Sequence, residues 1–192
     1  MEFADSQTAR NLLKAFAGES QARNRYTFGA SVARAEGFEH IAAVFEETAA
    51  NEKQHAKLFY KHLAALAPSA LEITAAYPVV AGDTAAQLTA ARDGEREEWS
   101  CLYTEFARVA RAEGFDAAAK TFEWVAKAEK AHDERFARLL DHVVNGTVFQ
   151  RGDKIYWRCR ECGYIHEGTA APKACPVCAH PQAFFEPVAE EF

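Results

Sequence analysis

Two stretches of the chain space their apolar residues in alternating steps of three and four. One runs Ile41, Phe45, Thr48, Glu52, His55, Phe59, His62, Leu66. The other runs Ala118, Phe122, Val125, Glu129, His132, Phe136, Leu139, Val143. This is the buried seam of a helix in a bundle. Each seam is interrupted by a Glu-x-x-His, Glu52–His55 and Glu129–His132, set 77 residues apart. An ionised carboxylate in an apolar seam is costly unless it is paired or binds a metal. A single Glu-x-x-His is usually a solvated helix face, but two in one register need a shared cause. A metal site between facing helices supplies one, with a Glu-x-x-His from two helices and a Glu from each of the others.

The same periodicity predicts four helices. Residues 6 to 36 form the first, with Ser6 or Thr8 as cap and Leu12, Phe16, Glu19, Arg23, Tyr26, Ala30 and Ala33 on one stripe. Gly37 turns the chain into the second, from Glu39 to Ala65. Pro68 and Pro78 bound a stretch without helical period. The third runs from Thr84 to Glu113, and Gly114 leads into the fourth, from Asp116 to Val144. The halves repeat: Val32 to Phe38 recurs identically as Val109 to Phe115, which also maps Tyr26 onto Tyr103 and Phe45 onto Phe122.

At 1.5 Å per residue, Glu19 and Glu52 stand roughly 22–27 Å from Gly37, and Glu95, Glu98 and Glu129 roughly 22–29 Å from Gly114. All four helices thus bring carboxylates to one layer. The 18 or so residues between the second and third helices reach on the order of 60 Å when extended. That permits one long crossover, as in ferritin-like bundles. One misfit stands out: Glu19 maps onto Arg96, one position from Glu95. A helical bulge near the site would absorb it.

Composition changes after Gly146. Residues 1–147 read as the bundle domain, 148–153 as a linker and 154–192 as a small β-rich domain. The last carries Cys159-x-x-Cys162 and Cys175-x-x-Cys178, a tetrahedral thiolate site for iron or zinc. About 40 residues cannot bury enough core to fold unaided, so the metal must help. The fifth cysteine, Cys101, reads as a small buried residue of the third helix, and His62 as an ordinary core or surface histidine.

Whole-chain properties narrow the function. The chain has 192 residues and 22 Lys plus Arg against 28 Asp plus Glu, a net charge of −6. With no basic cluster, nucleic acid and anionic membranes are not expected partners. Neither a signal peptide nor a transmembrane run is visible, so a cytoplasmic protein is expected. No Gly-x-Gly-x-x-Gly marks a nicotinamide site. Seven side chains are candidate bundle ligands: Glu19, Glu52, His55, Glu95, Glu98, Glu129 and His132. Carboxylates with two His suit iron or manganese better than structural zinc. Tyr26 and Tyr103 are placed to hydrogen-bond ligand carboxylates or simply to pack.

The chain resembles the rubrerythrins over nearly its whole length. Ala17 to Tyr26, Glu52-x-x-His55, Gly94-Glu95-x-x-Glu98, Glu129-x-x-His132, Cys159-x-x-Cys162-Gly163-Tyr164 and Cys175-Pro176-x-Cys178 carry the resemblance. It implies a ferritin-like di-iron bundle fused to a rubredoxin-like domain. It further implies that the seven bundle residues hold two irons, with Glu52 and Glu129 bridging and with Glu98 exchanged for His55 when one iron is reduced. The function implied is a non-haem di-iron peroxidase for oxidative-stress defence. It would reduce hydrogen peroxide to water, with electrons entering through the four-Cys iron from NAD(P)H via a separate reductase or rubredoxin. A head-to-tail homodimer is implied as well. The alternative is an iron-binding ferroxidase or storage protein with a structural zinc ribbon.

Overall fold

The computed structural model describes residues 2–188. Its bundle contains α1 (Gln7–Ala35), α2 (Glu39–Leu63), α3 (Thr84–Glu97), α4 (Tyr103–Ala112) and α5 (Asp116–Val144). A five-residue π-helical turn, Glu98–Leu102, joins α3 to α4, so the two act as one helix of the four. α2 ends two residues earlier than the pattern predicts and tightens into a 3₁₀ turn, Ala64–Leu66, ahead of Pro68. Gly37 and Gly114 close the two hairpins with φ of 82° and 85°, a conformation that favours glycine. Among the described residues no helix is long and apolar enough to cross a membrane.

The hairpins cap one another. Ser6 and Asp83 accept hydrogen bonds from Ala9 and Ala86 as N-caps. The Gln7 and Thr8 amides donate to Glu113, which follows α4 at the turn of the other hairpin. Reciprocally, Glu36 accepts from the Thr84 amide. The repeated Val-Ala-Arg-Ala-Glu-Gly-Phe segment thus ends one helix and caps the start of another. Each hairpin turn therefore lies at the opposite end of the bundle from its partner's, and the crossover runs the bundle's length.

Inside, the repeat is reproduced as packing. Tyr26, Phe45 and Phe136 form one aromatic triad, with centroids 6.0, 5.3 and 5.2 Å apart. Tyr103, Phe122 and Phe59 form the other, at 5.9, 5.4 and 5.1 Å. Two residues read as inward fall elsewhere. Arg23 is exposed, and Ala22 takes the buried position beside it. Cys101 is exposed rather than buried. It lies in the π turn, where five residues per hydrogen-bonded turn rotate its side chain off the seam.

The tail is a three-stranded antiparallel sheet of order β2-β1-β3, with β1 Gln150–Cys159, β2 Ile165–Ala170 and β3 Phe185–Pro187. β1 starts inside the stretch read as a linker, with a register irregularity before Ile155. Trp157, Cys159, Cys175 and Phe185 fill its small core. The sheet rests on the α1–α2 turn. Phe149 stacks on Phe38 at 6.1 Å, and the buried Glu186 accepts from His40 at 2.9 Å while also binding Arg158 and Arg160.

The reciprocal caps predict a measurable asymmetry between surface charges. Glu113→Ala should cost roughly 1–2 kcal/mol, since it orphans three donors at one helix start. Glu46→Ala, which removes an exposed partner of Arg34, should cost at most about 0.5 kcal/mol. Urea unfolding midpoints compare the two.

Candidate metal centre

The seams deliver Glu52 and His55 from α2, and Glu129 and His132 from α5, to the middle of the bundle. Glu19 comes from α1 and Glu95 from α3. Glu19, Glu52, His55 and Glu129 offer ligand atoms that all lie within 4.8 Å of one another, and so do Glu52, Glu95, Glu129 and His132. Glu52 and Glu129 belong to both groups, as two bridging carboxylates would. His55 Nδ1 lies 2.8 Å from Glu52 and 2.9 Å from Glu129. His132 Nδ1 lies 2.9 Å from Glu129 and 3.1 Å from Glu52. Glu98 is in neither group: it is half-buried in the π turn, beside Gly18 and facing a cavity.

The tyrosines bind crosswise. Tyr26 on α1 donates to Glu95, and Tyr103 on α4 donates to Glu19 rather than to its nearer neighbour in sequence, Glu98. Burial, then the neighbouring carboxylates, hold both phenols well above their ordinary range, so they stay protonated donors. Each fixes the carboxylate it binds and leaves that carboxylate's other oxygen pointing inward.

Electrostatically the metal-free cluster is unbalanced. Burial, reinforced by Glu52 and Glu129, pushes Glu95 up to about 8. Burial also raises Glu19 and Glu98 well above the carboxylate range. Burial alone would lower the two imidazoles, but the facing carboxylates outweigh it and push His55 up to about 10 and His132 to about 12. Glu52 is driven up by burial and down by His132 and His55, with a net lowering. Even so, Glu19 Oε2, Glu52 Oε1, Glu95 Oε2, both Glu129 oxygens and His132 Nδ1 make no well-aligned hydrogen bond among the described residues, although the His–Glu pairs stand at ion-pair distance. Buried polar atoms are seldom left so. Ligand atoms about 2.1 Å from one ion at right angles stand about 3 Å apart, which matches the His–Glu spacings. The residues therefore fit a pair of cations.

The tail site fits one metal. Cys159 and Cys178 sulfurs lie 3.7 Å apart, and those of Cys162 and Cys175 lie 3.6 Å apart. Thiolates at about 2.3 Å around a tetrahedral ion stand about 3.8 Å apart. Peptide N–H groups of Tyr164, Val177 and His180 point at the Cys162, Cys175 and Cys178 sulfurs, as metal-bound thiolates require.

Besides Glu186 in the tail, sequence reasoning missed one buried carboxylate beside the centre. Asp133, next to His132, accepts from Arg96 at 3.0 Å and from the Trp99 indole at 2.9 Å, and so ties the π turn to α5. An indole and an acid one turn from the motifs were the available signal. His62 bonds Thr121 at 2.8 Å and stands apart from the centre.

A carboxylate–histidine centre at mid-bundle, with a four-thiolate sheet at the C-terminal side, defines a ferritin-like di-iron protein carrying a rubredoxin-like domain. Comparison with known proteins gives the family. A rubrerythrin family model matches residues 10–140, and a model of the rubrerythrin rubredoxin-like domain matches residues 157–186. Rubrerythrin of Porphyromonas gingivalis is 54% identical over 184 residues, covering 95% of this chain and 90% of that protein. The structure of fully reduced, all-ferrous nigerythrin superposes with a TM-score of 0.65 at 34% identity, covering 97% of this chain and 91% of that one. The bacterioferritin of Desulfovibrio desulfuricans shares the bundle fold, with a TM-score of 0.65 at 22% identity over 72% of this chain and 81% of its own. The chain belongs to the rubrerythrin family.

The proton balance yields a test. In the folded, metal-free chain Glu95, His55 and His132 hold protons that the unfolded chain releases at lower pH. Their stabilisation is complete below the unfolded values and lost as pH rises, so melting temperature should fall between about pH 6 and pH 9. Glu52 works the other way but finishes titrating below that range. The metal-loaded chain should show the opposite trend, because protons compete with the ions for the same atoms. Circular-dichroism melts of both forms at the two pH values read this directly.

Proposed function

We propose that the protein is a non-haem di-iron peroxidase that reduces hydrogen peroxide to water in oxidative-stress defence. The observation that carries this reading is the joint presence, in one chain, of a buried carboxylate–histidine centre and a rubredoxin-like four-thiolate site. Glu19, Glu52, His55, Glu95, Glu129 and His132 would hold two irons, with Glu52 and Glu129 shared. A ferrous pair bound there would supply the two electrons that reduction of one peroxide to water needs.

The chain's own residues do the rest. Tyr26 and Tyr103 hold Glu95 and Glu19 in orientation. The aromatic triads above and below the centre exclude water and keep the dielectric low. Glu98 stands outside the cluster while His55 stands within it, which supports an exchange of these two groups between redox states. Glu98→Ala should keep most of the bound metal and slow peroxide turnover, because it removes only the ligand proposed for one state. Metal content and stopped-flow rates test this, and equal rates in variant and parent would take Glu98 out of the mechanism.

Cys159, Cys162, Cys175 and Cys178 would hold the iron that reloads the centre, with electrons from NAD(P)H through a separate reductase or a rubredoxin. The tail of each chain sits on its own Gly37 turn, and Glu52 lies 15 residues further along α2. That is roughly 22 Å of helix rise. This separation supports a head-to-tail homodimer in which a second copy's tail approaches the centre. Turnover with reductase should therefore fall on dilution below the dimer's dissociation constant, while the prereduced chain should still be oxidised by one equivalent of peroxide. The ferroxidase or storage reading expects iron to accumulate far beyond three ions per chain and a colourless zinc-filled tail. Steady-state peroxide consumption with a reductase, together with iron and zinc counts, decides between the two.

A further inference from the structure

A cavity of about 290 Å³ lies between α1, α3 and the crossover, with Glu98 and Tyr103 in its wall. The cavities over the end of α2, at the bundle–tail junction and along the outer α1–α2 groove are lined by none of the seven candidate ligands. This one is walled by Glu98 and by Tyr103, whose hydroxyl donates to the cluster residue Glu19. Its cover is the crossover segment around Tyr77. The Tyr77 hydroxyl donates to the Lys14 carbonyl at 2.9 Å, which pins the ring over α1.

Two glycines keep the space beneath open. Gly18 precedes Glu19 in α1 and Gly94 precedes Glu95 in α3, and both line the cavity. Neither has the positive φ that would call for glycine. Mid-helix glycine is unfavourable without a packing or functional reason. At Gly18 that reason is geometric. A Cβ there would sit 3.7 Å from the Tyr77 ring and 3.8 Å from a Glu98 oxygen, so a side chain larger than methyl would fill the passage between them.

We propose that this cavity is the entrance through which small molecules reach the metal centre, and that Tyr77 is its size-selecting cover. At about 290 Å³ the cavity approaches the roughly 300–1,000 Å³ of pockets that enclose drug-sized ligands, so size selection falls to the gap between Gly18, the Tyr77 ring and Glu98. Hydrogen peroxide, close to water in size, passes that gap, and bulky organic hydroperoxides do not. The choice of peroxides as probes rests on the peroxidase reading, but the entrance itself does not.

The test uses the full-length chain loaded with ferrous iron, as parent, Tyr77→Ala and Gly18→Val. Rates are normalised to bound iron. The first readout is the ratio of oxidation rates with cumene hydroperoxide and with hydrogen peroxide. The second is the rate at which ferrozine, a bulky chelator, strips the iron without turnover. Tyr77→Ala should raise both the ratio and the stripping rate about tenfold, and Gly18→Val should lower the stripping rate. Tyr77 is on an exposed segment outside the helices, so its truncation leaves the bundle intact. If Tyr77→Ala changes neither readout, the entrance lies elsewhere and the proposal fails. If no form reacts with peroxide yet stripping accelerates in Tyr77→Ala, the entrance stands and the peroxidase reading fails.

Discussion

The structure depends on the cost of placing ionisable groups at the centre of an apolar bundle. Glu19, Glu52, Glu95 and Glu129 are each at most 1% exposed. Carboxylates so placed either take up protons or bind cations. The chain gathers their oxygens, together with the nitrogens of His55 and His132, into one cluster. The crossed tyrosines engage one oxygen each of Glu95 and Glu19 from outside it. That choice sacrifices stability in the metal-free state for a site whose shape is set before any ion arrives.

The apolar core is divided accordingly. One cluster runs from Ala22 to Ala33 with Ile41, Phe45 and Phe136. The other joins Leu12 and Ala15 to Phe59, Tyr103, Phe106 and Phe122. The polar layer lies between them, so each cluster closes one end of the site. Both draw residues from both hairpins, and the bundle therefore cannot assemble its cores without also assembling the metal layer.

Much of this was legible in the sequence because helical seams and exact repeats are local, periodic signals. The four helices, the two glycine turns and the Cys pairs all follow from spacing, whereas the tyrosines were visible only as neighbours of Glu19 and Glu98 on their own helices, and their crossing to Glu95 and Glu19 was not. The bulge was legible only as a one-residue misfit at Arg96, and its position was not. Arg23 and Cys101 were misplaced because a uniform 3.6-residue wheel drifts over a long helix and fails at a π turn. Asp133 and Tyr77 act through contacts between distant segments, and no periodicity carries that information.

The π turn has a consequence beyond geometry. On its N-terminal side the two hairpins align at an offset of 76 residues: Thr8 with Thr84, Leu12 with Leu88, Gly18 with Gly94, Glu19 with Glu95. On its C-terminal side the offset is 77, as Tyr26 and Tyr103 show. Two copies of one hairpin would enclose two interchangeable ions. At the 76-residue offset Glu98 corresponds to Ala22, so a carboxylate in one hairpin stands where the other has a methyl group, and the extra residue follows it within the π turn. The centre thereby acquires a front and a back. A scaffold that repeats itself in sequence thus carries a centre whose two halves differ, by a carboxylate on one side and by one residue of helix just beyond it.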